Sequence, residues 1–223
     1  MLAVYHHQLC PHSRKLRIVL REKEIDFELF YEPYWERRTS FLTMNPRGDT
    51  PVLKDEDGVL VYGRSALFEY LEEVYPQVSL LGGKSKNLRL KVRQISEWFD
   101  DKFYQEVTRY LITEKVIKPA QSAGAPNSDF IRASKRNMLH HMDYLRYLLE
   151  KSTYLTGEQV TIADISAAAQ LSVLDFMNDI SWDKFPLVKH WYSLMKSRPS
   201  LRSILHDVVS GITPPEHYSN PDF

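Results

Sequence analysis

A cysteine, a histidine and a serine share one short segment, Cys10-Pro11-His12-Ser13, just ahead of a helical pattern. A thiol at a helix N-terminus, followed here by Arg14 and Lys15, has its thiolate favoured by the helix dipole and the cations. That is what a reactive cysteine needs. Ser13 is the alternative catalytic hydroxyl, placed to steady a bound thiolate by hydrogen bonding. The plainer reading makes Cys10 a small loop residue. Cys10 is the only cysteine, so no intrachain disulfide forms and the chain reads as cytoplasmic.

Two further segments carry binding chemistry. In Gly48-Asp49-Thr50-Pro51-Val52-Leu53 a proline follows a glycine turn and directly precedes a strand. Such a proline is a candidate for a cis bond, which would present the Thr50 backbone to a ligand. An ordinary trans proline opening an edge strand is the other reading. Ser65 stands at a helix N-terminus, where an anion is well placed, although a serine there is more often a structural cap. The pairs His6-His7 and His140-His141 do not make metal sites, because adjacent side chains diverge on a strand or a helix.

These residues need elements to hold them. Leu2 to Tyr5 and Phe27 to Tyr31 are short β-prone runs around a helix that begins near Ser13. In that helix Leu16, Val19 and Leu20 share one face, with Arg14, Lys15, Arg17, Arg21 and Glu22 elsewhere. Trp35 to Met44 reads as a short irregular helix. Pro51 to Leu53 and Val59 to Val61 flank a hairpin turn, and Ser65 caps a helix that Pro76 ends. The order is βαβ then ββα over residues 1–79. Residues 80–86 form a linker, and residues 87–223 make an all-α second domain. Leu88, Val92, Ile95, Phe99 and Phe103 keep helical period, as do Ile131, Met138, Met142, Leu145 and Leu149. Thr161-Ile162-Ala163-Asp164 is a capping box, worth roughly 1 kcal/mol. Beyond Gly211 the prolines exclude regular helix.

Composition narrows the function. The chain has 29 Lys+Arg and 29 Asp+Glu, so no overall field draws it to nucleic acid or an anionic membrane. No apolar run is long enough to span a bilayer, and Met1 to Tyr5 lacks the make-up of a signal peptide.

Taken together, Cys10 to Ser13, Asn45 to Leu53, Ser65 to Leu71 and the Thr161–Asp164 box resemble the glutathione transferase family across nearly the whole chain. The resemblance implies an N-terminal thioredoxin-like α/β domain and a C-terminal helical bundle, usually as a homodimer. It implies a cis Pro51 that, with Thr50, holds the glutathione backbone, and a Ser65 that binds the γ-glutamyl carboxylate. It also implies an acid immediately before that serine to meet the γ-glutamyl ammonium. Here that residue is Arg64, a cation facing a cation, which argues against ordinary glutathione binding.

Tyr34 to Arg38, Trp98 to Phe103, Leu171 to Phe176, Lys196 to Ser200 and the closing His217-Tyr218-Ser219-Asn220-Pro221-Asp222-Phe223 are similar to an alphaproteobacterial branch of that family. Members of the branch bind the tubulin homologue FtsZ at the division site. This implies a regulator of division without essential catalysis or a required cofactor, and partner contacts at Trp35, Glu114, Asp222 and Phe223, with core or solvated surface the other reading of Trp35 and Glu114. The alternative is a glutathione-dependent transferase or thiol reductase using Cys10 or Ser13. The tail itself either docks a partner or straps over the chain's own second domain.

Overall fold

A computed structural model describes residues 1–221. Strands β1 (Leu2–His6), β2 (Phe27–Tyr31), β3 (Val52–Lys54) and β4 (Leu60–Tyr62) form one sheet in the order β2-β1-β3-β4. β1 and β2 are parallel, with Val4 opposite Leu29, so the chain must cross over between them, and α1 (Pro11–Glu22) is that crossover. β3 runs antiparallel to β1 and β4, with Leu53 between Val4 and Val61. The short helices α2 (Thr39–Met44) and α3 (Arg64–Val74) complete a thioredoxin-like first domain.

The second domain opens with a helical path over residues 86–120, termed α4. It starts as ordinary helix at Lys86–Glu97 and widens into π turns over Trp98–Thr108 and Thr113–Ile117. The apolar period alone predicts a plain α-helix there. Asp100 and Asp101 lie on the first wide stretch, and both pair with first-domain cations. Then come α5 (Ser128–Leu149), α6 (Ile162–Phe176), α7 (Pro186–Lys196) and α8 (Pro199–Leu205). The tail carries one 3-10 turn, Glu216–Ser219.

α6 is buried along its whole length. Its alanines, Ala163 and Ala167 to Ala169, let neighbours approach closely, and its polar groups are matched inside. Thr108 donates to Gln170 at 2.6 Å, and the Ser96 and Ser166 hydroxyls meet at 2.9 Å. The Thr161 box forms, and it does more than cap. Asp164 accepts the Thr161 N–H at 3.0 Å, the Leu155 N–H at 2.8 Å and the Trp191 indole N–H at 3.1 Å. One buried carboxylate therefore joins the helix start, the preceding loop and α7.

α1 departs most from the sequence expectation. It begins at Pro11 rather than Ser13, and both its apolar and its polar faces are buried, from Pro11 through Leu20. The apolar face covers the sheet. The polar face docks on the second domain, where Arg17 pairs with both Asp207 oxygens at 2.8 and 2.9 Å.

Two predictions follow from these buried groups. Asp164→Ala leaves three N–H donors without an acceptor and is expected to cost about 3–5 kcal/mol, measured by urea unfolding. The second concerns acid. Burial, and then the Arg17 charge, hold the His6 imidazole down at about 4 against an ordinary 6.5. Burial, and then His6, do the same to His7. The unfolded chain therefore takes up these protons before the folded one does. The stabilisation is complete above the ordinary value and is lost as pH falls from 6.5 toward 4. Tm should drop steadily between about pH 7 and pH 5 in circular-dichroism melts. A flat profile over that range would contradict the burial of both rings.

Candidate functional site

Cys10 is the N-cap of α1, with Pro11 in the first helical position, where a missing N–H costs nothing. The Thr50–Pro51 peptide is cis. The Cys10 thiol donates to the Thr50 carbonyl at 3.3 Å, so the backbone group expected to face a ligand already has an internal partner. Cys10 is only 6% exposed. Arg14 and Lys15 do not gather round the thiol as the sequence suggests. Arg14 donates to the Gln8 carbonyl at 2.6 Å, the Ser172 hydroxyl at 3.0 Å and the Tyr218 hydroxyl at 2.8 Å. Lys15 pairs with Asp100 and donates to Ser96 at 3.2 Å. Ser13 corrects another expectation: it is fully buried in α1, so no ligand coming from solvent reaches its hydroxyl in this conformation.

The corner opposite Cys10 belongs to Arg64. α3 begins at Arg64 with Gly63 as its N-cap, at φ 92°, a region that favours glycine. Ser65 thus sits exposed in the first turn instead of capping it. Arg64 is partly exposed but its head group turns onto α4. Its Nη1 donates to the Asp100 carbonyl at 2.9 Å and to Asp101 at 3.3 Å, and its guanidinium lies 4.6 Å over the Tyr104 ring. His12 packs against the same ring at 4.7 Å. Burial pushes the His12 imidazole well below its ordinary value, and Arg64, Lys15 and Arg47 push it further. Burial also raises the half-buried Tyr104 hydroxyl to about 12.

The cleft thus brings together Cys10, Thr50, Pro51 and Arg64, with Ser65 at its rim. Sequence reasoning gave no role to His12 or Tyr104. His12 lies inside the segment singled out for Cys10, and Tyr104 stands one helical turn beyond Asp100, so the first was in plain view and the second recoverable by spacing.

Among the expected partner contacts, Trp35 is half-buried and packs edge-on to His7 at 4.8 Å. It lines a cavity of about 560 Å³ between the domains, with His7, Tyr31, Lys115 and the turn at residues 208–212. Glu114 takes the core alternative of the sequence reading. It is 2% exposed and accepts from the Asn127 N–H at 2.7 Å and from Lys118 at 2.6 Å. Those two bonds, the Asn127 one first, hold its carboxyl below the usual range. Glu114 therefore ties α4 to the start of α5. Asp222 and Phe223 lie outside the described residues. Just before them Tyr218 is buried; its hydroxyl donates to the Ile204 carbonyl at 3.1 Å, and its ring meets Phe176 edge-on at 5.1 Å. Up to that residue the tail is a strap over the second domain.

The chain matches the model for the glutathione S-transferase N-terminal domain over residues 9–74 and that for the C-terminal domain over residues 127–206. It is 36% identical to the FtsZ-localized protein A of Caulobacter vibrioides, over 99% of this chain and 97% of that one. The solved structure of FzlA from C. crescentus superposes with a TM-score of 0.94 at 36% identity, covering 100% of this chain and 99% of that one. A glutathione S-transferase structure from Rhodospirillum rubrum F11 gives 0.96 at 46% identity, covering all of both chains.

Glu114 separates a structural from a contact role. Glu114→Ala should lower Tm by about 3–6 °C, since a buried N–H and an ammonium lose their acceptor. An unchanged Tm with weakened partner binding would return Glu114 to the contact set.

Proposed function

We propose that this chain, which belongs to the glutathione S-transferase family, works at the bacterial division site by binding FtsZ rather than by transferase chemistry. The observation that carries the reading is its 36% identity, across 99% of its length, to a protein named for its localisation with FtsZ. The cleft supports it. Against ordinary glutathione binding count Arg64, a cation at the position where the resemblance implies an acid, and the Thr50 carbonyl, which already accepts from the Cys10 thiol. No catalytic step is therefore routed through it.

The working form is a cytoplasmic homodimer. Two copies present two partner sites, and a divalent binder can cross-link or bend a polymer without any new contact chemistry. Trp35 is the described contact residue of choice. It is an aromatic side chain beside an interdomain cavity, and such residues are over-represented among binding hot spots. Asp222 and Phe223 extend the contact from the tail. They follow directly on the strap that Tyr218 anchors.

A second reading, a glutathione-dependent transferase or thiol reductase, is favoured by the Cys10 thiol at the N-cap of α1 beside a cis proline.

Purified chain should pellet with GTP-assembled FtsZ polymers. Trp35→Ala and Asp222→Lys should each reduce the pelleted fraction while leaving Tm in place. Millimolar glutathione should leave Tm unmoved. Failure to pellet would end the FtsZ reading, and a saturable glutathione shift abolished by Cys10→Ser would establish the enzymatic one.

A further inference from the structure

We propose that the open edge of β2 takes up an extended, basic segment of a partner protein as a fifth strand of the sheet. This surface lies outside the cleft and is independent of the FtsZ reading.

The backbone carries the inference. β2 is an end strand, and β1 is its only neighbour in the sheet. The Glu32 N–H donates to the His6 carbonyl at 2.8 Å. Backbone groups alternate sides along a strand, so Glu28 and Phe30 also turn theirs toward β1. Phe27, Leu29 and Tyr31 therefore turn their N–H and C=O groups to the open side. No hydrogen-bond partner meets them there among the described residues.

Little guards that edge. Exposed edges are usually blunted by a lysine, a proline, a bulge or a covering element. Phe27-Glu28-Leu29-Phe30-Tyr31 has no lysine or proline, and Glu28 is its only charge. Its register with β1 runs unbroken from Leu2–Phe27 to His6–Tyr31. Leu29 is 43% exposed, Phe30 41% and Tyr31 52%, so apolar side chains stand open on both faces. They are also held in place: Phe30 stacks on Tyr5 at 5.3 Å, and the Arg21 guanidinium lies 4.7 Å over the Phe27 ring. An added strand would lay its side chains against Leu29 and Tyr31 on one face and Phe30 on the other. Its backbone would take the free N–H and C=O groups.

Charge selects the occupant. Asp26 pairs with Arg21, and Glu32 with Arg38. Glu24, Glu28 and Glu36 are exposed and make no ion pair among the described residues. Of the exposed cations here, Arg37 sits at the far end of the strand and Lys54 two strands away across Ala3. The Glu24–Glu28 end of the edge is therefore negative. A second copy of β2 would bring the same unpaired acids with it, whereas a basic segment would neutralise them.

Titration of the full chain with the capped peptide Lys-Val-Thr-Val-Thr-Val-Lys, followed by amide exchange in NMR spectra, tests this. In the free chain the Leu29 and Tyr31 amides should exchange quickly and those of Phe30 and Glu32 slowly. Saturating peptide should slow Leu29 and Tyr31 at least about tenfold and leave Phe30 and Glu32 as they were. Leu29→Pro removes an outward donor without touching the β1 pairing and should weaken binding at least about tenfold. Leu29→Lys keeps the N–H but sets a cation against the partner, and should weaken binding to a similar degree. The same peptide N-methylated throughout, or with Glu in place of both Lys, should bind at least about tenfold more weakly. The proposal is overturned if the basic peptide does not saturate, if the Leu29 and Tyr31 amides stay fast, if both Leu29 variants bind as the parent does, or if either altered peptide binds equally well. Protection of those two amides without peptide, rising with protein concentration, would assign the edge to a second copy and overturn it as well.

Discussion

The polar face of α1, buried against the second domain, is the constraint on which the rest of the molecule depends. Arg14, Lys15 and Arg17 would all be solvated on a free first domain, yet each is enclosed here. Taking a cation out of water costs several kcal/mol, and a single counter-charge rarely offsets it. The second domain answers with oxygen cages. Arg17 has both Asp207 oxygens and the Ser203 carbonyl at 3.0 Å. Arg14 has two hydroxyls and the Gln8 carbonyl, and Lys15 has Asp100 and Ser96. Glu22 reverses the polarity, accepting from Arg198 at 2.7 Å and from Ser200 at 2.6 Å. Such an interface adds little net stability over an apolar one, but it fixes orientation, because any shift strands a buried charge.

That orientation passes directly to the cleft. Cys10, His12 and the Arg64–Tyr104 stack lie at the N-terminal end of α1, and the Arg14 N–H donates to the Cys10 carbonyl at 3.0 Å. The same Arg14 side chain bonds Tyr218, 204 residues further along the chain. The last described turn of the protein and the start of its cleft therefore share one arginine. Lys196 secures the strap from the other side, donating to the His217 carbonyl at 2.8 Å, while His217 meets the buried Asp175 at 2.9 Å.

What could be read in advance was what is local. The βαβ-ββα order and the Thr161–Asp164 box are written within a few neighbouring residues and appear where the sequence puts them, while the cis Thr50–Pro51 bond, left open by its own segment, is the one the family resemblance implies. What escaped depends on distant partners. A helical pattern with cations off its apolar face reads as a solvated surface, because nothing near α1 in sequence announces Asp100 or Asp207. Arg64 was legible as a departure in charge, but its tether on Asp100 and Tyr104 was not, since the contact spans 36 residues and two domains. Glu114 shows the same limit: its acceptor role is defined by an N–H 13 residues later.

The Arg64 tether also joins the two walls of the cleft. A guanidinium held to the Asp100 carbonyl and to Asp101 stitches α3 to α4 across the cleft. With Lys15 pairing to Asp100 on the α1 side, the two domains are sewn together at both walls of the groove. The Thr50 carbonyl and the Asp100 carbonyl both accept from side chains of the cleft itself, Cys10 and Arg64. That frame carries the Trp35 cavity, beside the α4 end and the turn at residues 208–212.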